Sequence, residues 1–330
     1  MYVKQFLPRN PILDTIRESN TCCTLNHLLE LNFPMPATDR SSFLAYLALA
    51  IGIVSVSFSA ILVRWANAPG TVASFYRMAV AAVLMAWPFY RRVSARRSLP
   101  RLGVRVAMLG GVFFAADLAF WASGVVLSGA TNPTLLANTA PLWVGLGSLI
   151  FFGDRFGVKF WIGLILAMSG AVFILGQDSL RAATFGLGTL FGLIAAIFYG
   201  SYFLITQRGR ESLDSLTYFW LTALSASLGL LAISLVLRQP LTGYSVLTYL
   251  NFLILGVVVQ VLGWLTINYA QGYLPAAIVA PTMLAQPVMT ALLAGPLLGE
   301  TLSLWQILGG VAVLTGVYTV HRSQQENPGK

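Results

Sequence analysis

Uninterrupted apolar runs of about twenty residues, the length of one helical membrane crossing, fill the chain from residue 43 to residue 321. Short polar stretches separate them, among them NAPG (67–70), RRVSARRSLPR (91–101), GDRFG (153–157), QRGRESLDS (207–215) and RQPLTGYS (238–245). Barrel strands would instead alternate polar and apolar residues over about ten positions. The pattern therefore predicts an all-α polytopic membrane protein. Its ten transmembrane helices fall near 43–65, 71–90, 103–127, 131–152, 157–175, 185–206, 214–237, 246–270, 275–298 and 303–321. Short connections make successive spans antiparallel neighbours.

Residues 1–42 break the pattern, being mixed in charge and lacking an apolar core long enough for a signal peptide. They are expected to be a disordered cytoplasmic leader. MPATDRSSFLAYLAL, from Met35, would itself make a start, so two readings of the leader stand side by side. Residues 322–330 form a short cytoplasmic tail.

Composition agrees with the pattern. The chain is 57% hydrophobic and 9% charged with a mean hydropathy of +0.77, whereas soluble domains carry about 25% charged residues. A net charge of +9 would suit nucleic acid, but the arginines stand beside apolar runs, where they mark the cytoplasmic side. With the N-terminus inside, that side holds Arg40, Arg91, Arg92, Arg96, Arg97, Arg101, Arg105, Arg155, Lys159, Arg208, Arg210 and Arg322; only Arg64, Arg181 and Arg238 lie outside. Both termini are then cytoplasmic, in a bacterial inner membrane, and no nucleic-acid partner is expected. Cys22 and Cys23 are adjacent in the leader, and His27 and His321 lie outside or at the edge of the apolar runs. No cofactor, metal or disulfide framework is expected.

The two halves repeat. From Gly129, GATNPTLLANTAPLWVGLGSLIFFGDRFGVKFWIGLILAMSGAV aligns without gaps onto the segment from Pro275, at an offset of 146. This pairs Pro141 with Pro287, Gly153 with Gly299, Asp154 with Glu300, Gly163 with Gly309 and Gly170 with Gly316. Spans one and six align at an offset of 140, pairing Gly52 with Gly192 and Phe58 with Phe198. Five helices per half is an odd number, so the second half (185–321) enters the membrane from the side opposite to the first (43–176). Such inverted repeats build paired gates around one site in secondary transporters.

At these residues the chain resembles the drug/metabolite transporter superfamily, in its EamA-type form with two five-helix halves. The resemblance is carried by Pro141 and Pro287 followed by FFGDRF (151–156) and LLGETL (297–302), by the glycine-rich fifth and tenth spans, and by FAADLAFW (114–121) and FYRM (75–78). It covers residues 43–321 and implies a transporter of amino acids, metabolites, drugs or nucleotide sugars. An aspartate at 154 where the pattern usually has glutamate is a mild departure.

Candidate chemistry centres on Asp117 and Arg77, the two charges deep inside spans. Each lies thirteen or fourteen residues from the same face, about 20 Å at 1.5 Å per residue, on adjacent helices. Three readings are open. The pair neutralises itself and fixes the register of spans two and three; it exchanges its internal partner for a charged or zwitterionic substrate; or Asp117 titrates and couples transport to protons. On span eight Gln260, Trp264, Asn268 and Gln271 share one helical face and should point inward. Trp121 lies one turn beyond Asp117. Asn138 and Gln286 precede Pro141 and Pro287, where they either satisfy carbonyls freed by proline or meet substrate. Tyr199, Tyr202 and Trp220 are either cavity walls or interfacial anchors. Gly188, Gly192, Ala196 and Gly200 read as a packing seam, and Asp154 and Glu300 as caps for the following helices.

The expected function is secondary active transport, in the export direction, of a small organic metabolite such as an amino acid or drug-like solute. Its partners would be that solute, the lipid bilayer and protons, with the chain a monomer or a homodimer. A lipid-carrier flippase is the alternative. A membrane enzyme is disfavoured, because no histidine or cysteine lies deep within the spans to serve as base or nucleophile.

Overall fold

The computed structural model describes residues 39–94, 98–128, 131–175, 186–299 and 302–326, and all regular structure among them is helical. Residues 1–38 of the leader, Arg96, Arg97, Arg181 and Glu300, with the expectations placed on them, lie outside the described residues, whereas residues 39–42, expected to be disordered, begin the first helix. Span one is α1 (Asp39–Ser57) and α2 (Ser59–Ala66); span two is α3 (Gly70–Ser94) and span three α4 (Arg101–Ser128). Span four is α5 (Thr131–Ala137) and α6 (Ala140–Phe151), and span five is α7 (Val158–Leu175). In the second half, span six is α8 (Leu187–Arg210) and span seven α9 (Ser215–Val236). Span eight runs through α10 (Val246–Ile254), a wide-turn π-helical stretch (Leu255–Trp264) and α11 (Leu265–Ala270). Span nine is α12 (Ala276–Thr282) and α13 (Ala285–Leu298), and span ten is α14 (Leu304–Glu326). Among the described residues nine spans are long and apolar enough to cross a membrane, and the fifth is a shorter apolar helix, Val158–Ile174.

Repeat symmetry is visible in which helices touch. Span three packs on six and, correspondingly, eight on one; three packs on seven as eight does on two; six packs on four as one does on nine. Spans two and seven, four and nine, and five and ten pack on their own counterparts. Exchanging the halves leaves this set of neighbours unchanged, as a two-fold relation requires. Spans four and nine both break near the same repeat position, before Pro141 and Pro287. Both end in the same left-handed turn, at Gly153 and Gly299, each with φ of +70°, a conformation glycine adopts without steric cost.

The tightest crossing joins spans five and ten. A methyl on Gly170 would stand 2.5 Å from the Gly309 carbonyl oxygen, and one on Gly309 would stand 2.6 Å from that of Gly170. Gly163 and Gly316 form the matching contact, 2.8 Å and 2.5 Å by the same measure. In lipid, where apolar surface alone does not hold helices together, such backbone approach supplies much of the association.

Three local expectations change. Asp154 does not cap α7: the helix starts at Val158, and the Asp154 amide instead bonds Ser148 O at 3.2 Å. It thus sits over the negative end of α6, and burial pushes its carboxyl above the usual range. Span one is broken at Phe58 with no proline. There Ser57 Oγ donates to Ile53 O (2.6 Å) and Gln286 O (3.3 Å), and Thr290 Oγ1 donates to the Ser57 carbonyl (3.0 Å). Trp220 is no cavity wall. Its ring stacks on Phe89 at 3.8 Å and its Nε1 donates to Ala82 O at 2.8 Å, pinning span seven to span two.

Candidate functional site

Asp117 and Arg77 are both buried, 6% and 7% exposed, and close enough for their charges to interact. They are not joined by a direct ion pair. The ion pairs among the described residues lie toward helix ends, such as Arg92–Asp214 (3.2 Å) and Lys159–Glu326 (2.6 Å). Arg77 Nη1 reaches Ser59 Oγ at 3.4 Å, and the guanidinium carbon stands 6.0 Å from the centre of the Phe114 ring. That is the outer range of a cation–π contact. Arg77 Nε is buried and has no hydrogen-bond partner among the described residues. Phe114 precedes Asp117 by three residues on the same helix and belongs to an aromatic core.

That core gathers several predicted residues. Tyr202 stacks on Phe114 at 4.5 Å, and the Trp264 ring meets Phe114 at 4.8 Å, Tyr202 at 5.5 Å and Tyr199 at 6.0 Å. Gln260, Trp264, Asn268 and Gln271 are all buried. Gln271 Nε2 donates to Phe203 O at 3.2 Å and the Asn268 amide faces the Tyr202 hydroxyl, but Gln260 Oε1 and Gln271 Oε1 have no hydrogen-bond partner among the described residues. Native interiors leave few such groups, and each calls for an explanation. The π-helical stretch carries Gln260 inward. Its Gly256 abuts Val80 and the Arg77 carbonyl, where a methyl would come within 2.4 Å and 3.3 Å. Wide turns of this kind recur at functional sites.

A second cluster borders a small cleft, lined by Asn138, Pro141, Tyr199, Phe203, Met283 and Gln286 among others. Both helix breaks therefore open onto it. Asn138 Nδ2 donates to Thr134 O at 3.0 Å, so its amide serves a carbonyl one turn back and not that of Ala137, the one freed by Pro141. Trp121 Nε1 donates to Thr134 Oγ1 at 3.1 Å, tying span three to the broken span four. Tyr199 connects the clusters: it lines the cleft, touches Trp264, and lies within electrostatic reach of Asp117 and Arg77.

Of the predicted residues, the structure brings Asn138, Tyr199 and Gln286 to the cleft. Tyr202, Gln260, Trp264 and Asn268 lie in the closed core, with Arg77 and Asp117 near Phe114 and Trp121 beside span four. Phe114, Ser59 and Phe203 are additions that sequence reading missed. Phe114 had a signal, its place one turn before the buried acid. Ser59 had none, since its approach to Arg77 depends on the break in span one. Among the described residues no cluster of metal-ligating side chains occurs.

Helical repeats of opposite orientation, with broken spans meeting at a cleft, define a transporter architecture. The chain belongs to the EamA-like transporter family, whose profile matches residues 43–176 and 186–322. It is 22% identical over 185 residues to the uncharacterized transporter YdfC of Bacillus subtilis, a match that spans 56% of this chain and 60% of that protein. It is 28% identical to a riboflavin transporter of Rhizobium johnstonii, over 61% of this chain and 65% of that one. Against the pseudopaline exporter CntI of Pseudomonas aeruginosa it is 25% identical, over 83% of this chain and 95% of the relative. The first two matches thus span less than two thirds of the relatives' own length. A solved crystal structure shares the fold with a TM-score of 0.69 at 18% identity, covering 85% of this chain and 97% of its own. These named relatives are transporters and not enzymes, and the chain is an integral membrane protein of the same family.

Proposed function

We propose that this protein is a secondary transporter that exports a small organic solute, such as an amino acid or a drug-like compound, by alternating access between its two halves. The observation that carries the reading is the pair of buried, opposite charges held near each other without a direct bond. A buried charge needs a partner, and a zwitterionic or dipolar solute supplies one to each. Asn138, Gln260, Asn268 and Gln286 would hydrogen-bond its polar edges, with Tyr199, Tyr202, Trp121 and Trp264 as walls. The relatives support small organic cargo: one is named for riboflavin, another for pseudopaline. The two repeats, 43–176 and 185–321, act as the moving halves, flanked by the leader 1–42 and the tail 322–330. The charge bias supports a bacterial inner-membrane location with both termini cytoplasmic. One chain contains the whole cleft, so a monomer suffices, and a homodimer would repeat the site.

Proton coupling through Asp117 is a second reading, favoured by the lack of any hydrogen-bond partner for its carboxylate among the described residues. Both readings are tested by one assay. Purified protein in liposomes is offered amino acids, nucleosides and cationic drugs, with and without a pH gradient. Saturable flux of a solute carrying both a cationic and an anionic or strongly polar group is expected. Flux confined to long-chain lipids would replace the reading with that of a flippase.

A further inference from the structure

Two arginines near the end of span six behave differently. Arg208 is 55% exposed and pairs with Glu211 at 2.8 Å, as an ordinary membrane-edge cation does. Arg210 turns inward and is half-buried. Its Nε donates to Asn268 O at 2.8 Å and its Nη1 donates to Leu213 O. The guanidinium fits against Gly272, where a methyl group would stand 2.3 Å from one of its nitrogens. It is one rung of a ladder. On the same face of α8, Phe203 O accepts from Gln271 Nε2 (3.2 Å), and Gln207 Oε1 accepts from the Ala276 amide (2.6 Å).

All three rungs grip the elbow between spans eight and nine, residues 271–275, and the turns beside it. That elbow joins the segment bearing Gln260, Trp264 and Asn268 to the one bearing Gln286. Hydrogen bonds to the polar backbone of a turn can be exchanged for water without tearing apart an apolar interface, so the grip is reversible.

We infer that Arg210 is a positioning residue that latches the eighth–ninth elbow onto span six, fixing Asn268 in the site and holding that end of the transporter closed at rest. Its role in a transport cycle rests on the alternating-access reading, but its test needs no substrate. Ala276, fully buried at the elbow, is replaced by cysteine in a Cys22→Ser, Cys23→Ser background, and its rate of modification by N-ethylmaleimide is measured in liposomes. Arg210→Ala should speed labelling about tenfold or more, the scale of losing a charge-assisted hydrogen bond. Arg210→Lys should fall between, because an ammonium lacks the planar fork that serves two carbonyls. Gln207→Ala should speed labelling as well. Labelling at the parent rate in Arg210→Ala overturns the latch. If that variant does not accumulate, parent-rate labelling in Gln207→Ala overturns it. Faster labelling alongside a failed transport panel would keep the latch and remove the transport reading.

Discussion

Asp117→Asn should abolish transport while leaving the protein folded and no less stable. The side chain keeps its shape, and in the resting structure the carboxylate makes no hydrogen bond or ion pair with any described residue, so the change breaks no direct contact. It also removes a charge that is costly to bury. A thermal midpoint in detergent equal to or above that of the parent is therefore expected. Flux should nonetheless collapse, because a buried charge contact to a ligand is worth about 2–5 kcal/mol, roughly 30-fold or more in apparent affinity. The opposite signs are the point. If Asp117 mainly steadied Arg77, its loss would leave an uncompensated buried cation, and stability would fall with activity. Normal flux from the folded variant would leave Asp117 with a packing role alone.

Gly316→Leu should act the other way, removing folded protein before any transport can be measured. A methyl group there would meet the Ala167 amide nitrogen at 2.4 Å and the Gly163 carbonyl at 2.5 Å. Both are backbone atoms of a helix, which cannot rotate aside as a side chain could. Spans five and ten would have to separate along the whole crossing, losing the reciprocal contact of Gly170 with Gly309 too. Overpacking usually costs about 1–3 kcal/mol, and here the collision involves two backbones, so the upper end or beyond is expected. The check is the yield of monodisperse protein and its thermal midpoint, with Gly310→Leu as the comparison. Gly310 sits on the same helix, but its nearest neighbour is a side chain, Val288, at 3.6 Å. Equal yields of the two variants would refute the two-fold crossing as the bundle's tightest joint.

Much of this architecture could be read from the chain alone, because it follows from local chemistry. Apolar run length sets the spans, and Pro141 and Pro287 mark the breaks in spans four and nine. Gly153 and Gly299 supply the one backbone conformation that ends those spans alike. What escaped depended on distant partners. The break at Phe58 has neither proline nor glycine; it is stabilised by Thr290 and Gln286 from the other half. Arg210 counts as one more basic residue until Gly272, more than sixty positions away, provides room for it to turn inward. For the site, helical periodicity found the polar face of span eight, since burial of such a face is demanded by lipid. It did not separate cleft from core. Tyr199 and Tyr202 are three residues apart, yet the first borders open space while the second is stacked beneath Phe114. Helical phase gives direction, and the depth at which a ring comes to rest is set by what lies opposite.

Two opposite charges, Asp117 and Arg77, are buried near each other without closing into a salt bridge, as groups kept for a solute would be. Flux of the transported solute through the Arg77→Ala, Asp117→Ala double variant in liposomes tests this directly, beside each single variant. If both groups are kept for the solute, the double variant should be as inactive as the worse single one. Recovery toward parental flux when both charges are removed together would show that they serve only to neutralise each other, and would contradict the account.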